Sequence, residues 1–185
     1  LDIFAKQLAI ALENDLLSHR VEKLEITDKL TGLYNDSFIR NRLAEEIRRA
    51  VVYQRPCSFV LLNIDDFSRL EKNSEDVYAQ EALKKVAYLI RDSVTEIDRV
   101  ARTVNNEFAV VLPERNKRQA KTIAEEIRKK VEFSFSQGEV ADKKLTISGG
   151  LSENPLDGVT AEELIHKARE ALSQAKANGK NRILG

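Results

Sequence analysis

Short apolar runs of strand type alternate with longer amphipathic segments along the chain, and this alternation constrains the fold more than any other feature. The strand-type runs, rich in Val, Ile, Leu and Phe, are 59–64, 100–103, 108–112, 145–151 and 182–184. The segments with helical periodicity are 77–94, 120–131 and 160–177. With a further helix in front, the first six of these elements have the order βαββαβ. It predicts an α+β fold, an α/β sandwich in which a mostly antiparallel sheet is covered by helices.

Turn and cap residues mark the ends of several elements. The Asn105-Asn106 turn between two strand-type runs predicts a β-hairpin. Thr160 and Glu163 form a capping box at the start of the last helix, and Gly149-Gly150 suggest a β-bulge. Another helix is predicted to begin at Asn35-Asp36-Ser37. Its apolar stripe is predicted to consist of Phe38, Leu43, Ile47 and Val51.

The N-terminal segment, residues 1–26, contains no glycine or proline and is rich in alanine, leucine, glutamate and lysine. We expect one long helix there, followed by a second domain at 27–185. Its apolar residues recur in steps of four and three, with one polar member, as in a coiled-coil seam. The seam consists of Ile10, Asn14, Leu17, Val21 and Leu24. It predicts a homodimer through this helix, and the alternative is a helix packed on its own domain.

Composition argues against several classes of protein. Lys plus Arg and Asp plus Glu each number 30, so the chain lacks the basic excess typical of nucleic-acid binders. No stretch approaches the roughly 18 apolar residues of a membrane span, and we expect a cytoplasmic protein. The single cysteine, Cys57, excludes an internal disulfide and is predicted to be buried in the core. His19 and His166 are isolated from further metal ligands, and we expect no metal site.

Two polar segments are predicted to meet at one end of the sheet. The first strand ends in Asn63-Ile64-Asp65-Asp66-Phe67, and the hairpin turn is Asn105-Asn106-Glu107. A metal-dependent phosphoryl-transfer site at this place needs carboxylates from both elements to hold Mg²⁺ against a triphosphate. The sequence offers carboxylates at Asp65 and Glu107, but neutral amides beside them.

Four segments resemble motifs of GGDEF-type diguanylate cyclases. They are Asp28-Lys-Leu-Thr-Gly-Leu-Tyr-Asn35, Asn63-Ile-Asp-Asp-Phe67, the strand pair 102–113 and Ala175-Lys-Ala-Asn-Gly-Lys-Asn-Arg182. The resemblance runs from Thr27 to the C-terminus, with residues 104–108 in place of the signature. It implies a nucleotide-cyclase-like sheet and, as the ancestral activity, conversion of GTP to cyclic di-GMP with Mg²⁺.

The departures from these motifs bear on catalysis. By resemblance, the positions of Asn63 and Asn106 are occupied by Mg²⁺-binding carboxylates in active members. An amide oxygen carries no charge to offset the metal, so we expect Mg²⁺ binding to be lost. Val104 and Asn105 replace the two signature glycines, and we expect both to crowd the phosphates. We expect the β-branched Val104 also to resist the backbone angles that glycine permits.

Other positions implied by the resemblance also differ. Ser68 stands where the family has a phosphate-binding lysine, and Glu71 and Gln80 stand at the guanine-binding positions. Ile64 separates the two first-strand positions. Lys176 and Lys180 remain at the other phosphate-contacting positions, although lysines are also common at any helix C-terminus.

The family's Arg-x-x-Asp product-inhibition motif is only half present. Thr95 stands at the arginine position, and Asp98 keeps the aspartate. Tight cyclic di-GMP recognition needs an arginine in one particular place, so we expect the inhibitory site to be lost. Arg91, Arg99 and Arg102 lie nearby in the sequence.

The segment 4–14 resembles the final helix of a GAF sensor domain. The chain also begins within the predicted helix, without a leader pattern. Both observations favour a piece of a longer protein that carries a sensor domain upstream.

The leading hypothesis is a catalytically inactive GGDEF-type signalling domain that passes an upstream signal through the helix to an unknown protein partner or a dimer mate. It requires no cofactor. One alternative is a nucleotide-binding allosteric module without turnover, and another is a weak or altered diguanylate cyclase, in which case GTP and Mg²⁺ bind. Fold alone does not decide among them.

Overall fold

The computed structural model describes residues 3–13, 26–69, 76–136 and 144–185, which form five helices and one sheet. The helices are α1 (3–13), α2 (Asp36–Tyr53), α3 (Asp76–Asp92), α4 (Lys117–Ser136) and α5 (Ala161–Ala177). The strands are β1 (Cys57–Ile64), β2 (Arg99–Arg102), β3 (Glu107–Pro113), β4 (Ile147–Asn154) and β5 (Ile183–Leu184).

The strands form one sheet in the order β2-β3-β1-β4-β5. Every neighbouring pair is antiparallel except β4 and β5, which are parallel. The predicted α+β fold with a mostly antiparallel sheet is confirmed, and so is the hairpin, since β2 pairs with β3.

The strand β1 lies in the middle of the sheet and sends alternate side chains into two cores. Phe59 and Leu61 pack with residues of α2 and α5, whereas Val60, Leu62 and Ile64 pack with residues of α3 and α4. Because both faces are covered, every residue of β1 is buried. The centre of the sheet is therefore a rigid base for the polar residues that follow β1.

The predicted apolar stripe of α2 is partly wrong. Val51 is 63% exposed, and Phe38 is half-buried and stacks on Tyr34 with ring centroids 3.9 Å apart. The buried residues are Ile39, Leu43, Glu46, Ile47 and Ala50. The buried face is centred on Leu43 and Ile47. Ile39, four positions before Leu43, belongs to this face, whereas Val51, four positions after Ile47, points to solvent.

The predicted bulge at Gly149-Gly150 is also wrong. The β1–β4 register runs without interruption through Leu62↔Gly149 and Leu61↔Gly150. The glycines are needed for close approach instead, since a Cβ on Gly150 would lie 1.9 Å from the carbonyl oxygen of Ala168 on α5. The helix therefore packs directly on the backbone of β4.

The cap and burial predictions agree with the structure. The side chain of Asn35 accepts a hydrogen bond from the Phe38 N–H, and Thr160 and Glu163 form the reciprocal capping box. Cys57 is 1% exposed, and burial raises the pKa of its thiol to about 12, with a smaller contribution from the charge of Glu46. His166 is exposed, and His19 lies outside the described residues.

Part of the predicted N-terminal helix is present as α1. Its residue Ile10 is 57% exposed. The other seam residues, Asn14, Leu17, Val21 and Leu24, lie outside the described residues, so the seam stays a prediction. No described helix is both long enough and apolar enough to cross a bilayer.

Replacing Gly150 by alanine should destabilise the domain by about 3 kcal/mol, because α5 or β4 has to shift to accept the new methyl group. Urea denaturation followed by circular dichroism measures this. Ser173→Ala, on the exposed side of α5, is the control and should change the free energy of unfolding by less than about 0.5 kcal/mol. Equal stability of Gly150→Ala and the natural chain would contradict the close packing.

Candidate nucleotide site

A cleft of about 410 Å³ opens where β1 ends beside the turn of the β2–β3 hairpin. It is lined by Asn63, Ile64, Asp65, Asp66, Phe67, Ser68, Asn105, Asn106, Lys176 and Lys180. The structure therefore brings most of the predicted site residues together. Val104 and Gln80 are exposed outside the cleft lining, Glu107 points elsewhere, and Glu71 lies outside the described residues.

The side chains of Asn63 and Asn106 bind each other across the cleft floor. Asn63 Nδ2 donates to Asn106 Oδ1 at 3.3 Å, and Asn106 Nδ2 donates back to Asn63 Oδ1 at 3.2 Å. Asn106 Nδ2 also donates to the Ile64 carbonyl oxygen at 2.8 Å, and the Ile64 N–H donates to the Asn106 carbonyl oxygen at 3.1 Å. The hairpin turn is thereby fastened to the end of β1.

This pairing depends on the amide groups. An amide carries both a donor and an acceptor, so two amides satisfy each other without any third group. Two carboxylates at this separation would repel each other and would need a cation or a shared proton between them. The asparagine pair thus provides, in neutral form, the connection that two acids could make only through a cation or a shared proton.

The carboxylate of Asp65 is engaged with its neighbours. It is 5% exposed and accepts hydrogen bonds from Thr146 Oγ1 at 2.7 Å, Ser148 Oγ at 2.8 Å and the Asn181 N–H at 3.1 Å. These donors come from β4, the residues before it and the turn after α5. Asp65 therefore ties three chain segments together at the end of β1.

The carboxylate of Glu107 faces α5. Arg169 contacts it through two hydrogen bonds of 3.0 Å each, and Thr103 Oγ1 donates to it at 2.9 Å. The Glu107 side chain is 6% exposed, whereas that of Arg169 is 47% exposed. Sequence reasoning missed Arg169, because it lies 62 residues away on a helix surface and no local pattern distinguishes it.

The hairpin turn contains one residue in the left-handed conformation. The left-handed conformation falls on Asn105, with φ of 51°, and Val104 does not adopt it. Asparagine tolerates this region better than a β-branched residue. Val104 is 58% exposed and is not among the residues that line the cleft, and its crowding of the phosphates stays a prediction.

An arginine from β2 fixes the turn in this conformation. The Nε and Nη2 of Arg102 donate to the Asn105 carbonyl oxygen at 2.8 and 2.6 Å, and Nη1 pairs with Asp28 at 3.2 Å. Burial opposes ionisation of Asp28, but hydrogen bonds from Thr31 and the charge of Arg102 outweigh it and lower its pKa. Arg102 thereby connects the motif at 28–35 to the hairpin turn.

Two lysines bring positive charge to the cleft. Lys180 Nζ lies 2.6 Å from Asp66 Oδ1, and Lys176 lines the same cleft. The hydrogen bond from Lys180 is the largest cause that lowers the pKa of Asp66, with further lowering by the charges of Lys180, Arg69 and Lys176. Within the described ranges, no three His, Cys, Asp or Glu residues form a group able to hold a metal ion.

The residues at the expected inhibitory position form a separate turn. The N–H and Oγ1 of Thr95 donate to Asp98 Oδ2 at 2.8 and 2.7 Å, and Arg115 Nη2 lies 3.6 Å from the same oxygen. Thr95 and Asp98 line a second cleft of about 350 Å³ together with Arg91 and Arg99. Asp98 thus accepts hydrogen bonds within its own turn, and Arg115, which lies outside the predicted motif, contacts its carboxylate.

Comparison with known proteins decides the family. The profile described as diguanylate cyclase, GGDEF domain, matches residues 25–182. The chain belongs to the GGDEF family. The predicted family is confirmed, and with it the domain type that serves in cyclic di-GMP signalling.

Curated relatives of this GGDEF chain include several longer proteins. The chain is 34% identical over 172 residues to response regulator PleD of Caulobacter vibrioides, covering 91% of this chain and 37% of PleD. It is 30% identical over 186 residues to diguanylate cyclase A of Treponema denticola, covering 97% of this chain and 48% of the relative. The chain thus spans less than half the length of these relatives.

Solved structures share the fold. The coiled coil and GGDEF domain of DgcB from Caulobacter crescentus, in complex with c-di-GMP, superimposes with a TM-score of 0.79 at 22% identity and covers 100% of this chain and 99% of that one. Diguanylate cyclase SiaD in complex with its activator SiaC, from Pseudomonas aeruginosa, gives 0.79 at 23% identity, with 99% and 74% covered.

Removing the guanidinium of Arg169 should leave the buried Glu107 charge without its main partner. We expect Arg169→Leu to cost about 2 kcal/mol, below the range for a fully buried pair because Arg169 is half exposed. In a Glu107→Gln background the same substitution should cost less than about 1 kcal/mol. Chemical denaturation of the four proteins measures the coupling, and equal costs in both backgrounds would contradict it.

Converting both amides of the cleft floor to carboxylates should make stability depend on a divalent cation. In EDTA, Asn63→Asp/Asn106→Asp should lose about 2 kcal/mol through repulsion and loss of the hydrogen bond to the Ile64 carbonyl. Millimolar Mg²⁺ should restore part of this loss, because it binds only the folded state.

Thermal denaturation with EDTA or Mg²⁺ measures the effect of the cation. The matched control is Asn63→Asp alone, whose carboxylate still faces a donating amide and should respond little to Mg²⁺. A double variant as stable as the natural chain in EDTA would show that the amide pairing contributes nothing.

Proposed function

We propose that this chain is a GGDEF domain without cyclase activity that relays a signal from an upstream sensor. The signal passes through the N-terminal helix to a protein partner or to a second copy of the chain. The observation that carries the proposal is the reciprocal amide pair of Asn63 and Asn106. It stands where a cyclase needs anionic oxygens for Mg²⁺, and it is complete without a cation.

The remaining acids do not offset this loss. Asp65 accepts three hydrogen bonds, Glu107 is paired with Arg169 away from the cleft, and Asp66 is paired with Lys180. Mg²⁺ gives up its water only for well-placed anionic ligands. Catalysis through a bound dication would require several of these contacts to break at once.

The relay part of the proposal rests on α1. Its apolar side chains are all more than half exposed in the single chain: Ile3, Phe4, Leu8, Ile10 and Leu12. A helix this apolar is stabilised by a partner surface. The names of solved relatives describe a coiled coil in DgcB and an activator bound to SiaD, which supports dimer and partner roles for such segments.

A second candidate is nucleotide binding without turnover. It is favoured by the cleft itself, which remains open at about 410 Å³ with Lys176 and Lys180 in its lining. In this case the domain reports the presence of a nucleotide, and the asparagine pair supports the cleft floor. The residues at the two guanine-binding positions, Glu71 and Gln80, then favour a base preference different from that of the family.

Calorimetry with GTP tests the two candidates against each other. The relay proposal predicts no heat of binding for GTP with Mg²⁺ up to about 1 mM, since the dication has no anionic site. Micromolar affinity that requires Mg²⁺ would contradict it. Comparable binding of GTP in Mg²⁺ and in EDTA would support the second candidate instead.

A product assay accompanies the titration. Overnight incubation of concentrated protein with GTP and Mn²⁺, read by chromatography, should give no cyclic di-GMP. Asn63→Asp/Asn106→Asp, assayed in parallel, should also give no product, because Val104 and Asn105 still replace the two signature glycines. Product from the natural chain would exclude an inactive domain.

A further inference from the structure

Two surfaces at the end of the sheet opposite the candidate nucleotide site carry exposed apolar side chains. β1 begins there with Cys57 and β4 ends there with Asn154, and these two residues are partners in the β1–β4 register. α2 ends shortly before Cys57, and the loop that leads to α5 follows Asn154. Because Ala50 of α2 and Ala161 of α5 belong to the same core, the two surfaces lie on the same side of the sheet.

The basic surface consists of the last turn of α2 and the residues beside it. Its most exposed arginines are Arg49 and Arg55, whose side chains are 58% and 59% exposed. Val52, three positions after Arg49, is 74% exposed, and Tyr53 and Ile97 are also exposed. One cleft of about 250 Å³ is lined by Arg49, Tyr53, Arg55 and Ile97. Exposed apolar side chains grouped with arginines are typical of a protein contact.

The acids beside the basic surface do not cancel its charge. The charged residues that line this cleft are Arg42, Arg49, Arg55, Arg99, Glu46 and Glu114. The buried Glu46 pairs with two of the arginines, and Glu114 pairs with Arg55. Since four guanidinium groups face two carboxylates, the surface keeps an excess of positive charge for an acidic partner.

The acidic surface consists of the loop between β4 and α5 and the first turn of α5. Its apolar residues Leu156 and Val159 are 74% and 60% exposed. Glu162 and Glu163 are exposed on the first turn of α5, and they line the same shallow cleft as Leu156 and Val159. Glu162 makes no ion pair with any described residue. Here the exposed apolar side chains lie beside negative charge.

Within one chain the two surfaces do not neutralise each other. Arg55 pairs with Glu114, and Lys167, the lysine beside the acidic surface, pairs with Glu170. In the part of the chain that the structure describes, no hydrogen bond or ion pair joins the basic surface to the acidic surface. Each surface therefore keeps its own sign of charge, and the two are complementary.

We infer that the basic surface of one copy of the chain binds the acidic surface of a second copy, and that the contact forms twice across a two-fold axis. Two complementary surfaces that lie side by side make the whole end of the domain self-complementary, as an isologous dimer requires. The contact removes exposed side chains such as Val52 and Leu156 from water. It also brings arginines of each copy to glutamates of the other, which fixes the register.

This inference rests on the part of the proposed function that passes a signal to a second copy, since it names a surface through which that copy is bound. The surface is separate from the route through α1. Asp28, where the chain enters the domain, pairs with Arg102 beside the hairpin turn, at the other end of the sheet. The contact therefore requires neither α1 nor a nucleotide.

The test is sedimentation equilibrium of the full chain at low salt, at concentrations up to about 1 mM. Arg55→Glu reverses a charge in the basic surface, and Glu162→Lys reverses one in the acidic surface. Each variant alone places like charges against each other in both contacts. We expect the association constant of each to fall about tenfold below that of the natural chain.

An equimolar mixture of the two variants is the sharpest arm of the experiment. Each copy then offers the charge that suits the other, so both contacts again join opposite charges. The mixture should associate about as strongly as the natural chain, and so should a chain that carries both substitutions. Recovery in the mixture also shows that neither variant has lost its fold.

The matched controls are Lys129→Glu and Glu81→Lys. Both residues are exposed and lie on α4 and α3, outside the two surfaces, and the substitutions change the net charge by the same amounts. They should leave the association constant within about twofold of that of the natural chain. Val52→Ser, which changes no charge, should weaken association at low and high salt alike.

Two results would overturn the inference. One is an equal association constant, or no association at all, for the natural chain and both single variants. The other is a mixture that associates no better than its components. Either leaves the relay through α1 and the loss of cyclase activity intact, because these are tested by substitution of Ile10 in α1 and by GTP titration with Mg²⁺.

Discussion

The reciprocal hydrogen bonds between the side chains of Asn63 and Asn106 are the interaction on which the candidate site depends. They close the contact between the end of β1 and the hairpin turn, the two elements where the family resemblance implies metal-binding carboxylates. Because both side chains are neutral, the contact is complete without a cation. The same two positions occupied by acids would leave the folded chain with a repulsion that a bound cation or a shared proton would have to relieve. Under the proposed function, a contact that forms without a ligand replaces one that depends on a ligand, and the metal site is lost.

The other polar groups near the hairpin are consistent with the contact between Asn63 and Asn106. Asp65 accepts hydrogen bonds from three segments, and Glu107 is turned toward Arg169 on α5. Arg102 fixes the carbonyl group of Asn105 and reaches back to Asp28. These carboxylates and the carbonyl group of Asn105 therefore have partners within the chain. An active metal site usually keeps some ligand groups without hydrogen-bond partners until the ion binds. The carboxylates of Asp65 and Glu107 already have such partners.

Much of the fold could be predicted from the sequence, because periodicity and caps act locally. The order of strands and helices, the Asn35 cap and the Thr160 capping box follow from short windows of sequence. The role of Gly150 could not be predicted, since it depends on how closely α5 approaches β4. The prediction that Val51 belongs to the buried stripe was wrong for a similar reason. The neighbours of α2 in space determine its buried side, and an apolar stripe assigned from the sequence can be displaced by part of a turn.

The site shows the same division between local and distant information. The motifs predicted which residues line the cleft, because their spacing brings β1 and the hairpin together. They did not predict what those residues contact. The Asn63–Asn106 pairing depends on the register of β1 with β3, and the partners Arg169 and Lys180 come from 62 and 114 residues away. Ionic and amide partners at such separations leave no periodic trace in a single sequence.

The central claim is that the cleft has no site for a dication, and a titration with Mn²⁺ followed by electron paramagnetic resonance tests it most directly. The signal of free hexaaquo Mn²⁺ disappears on binding, so protein at about millimolar concentration reveals even a weak specific site. The account predicts that the natural chain leaves the Mn²⁺ signal undiminished. One equivalent of Mn²⁺ bound with micromolar affinity, and lost on replacing Asn106 by alanine, would contradict it.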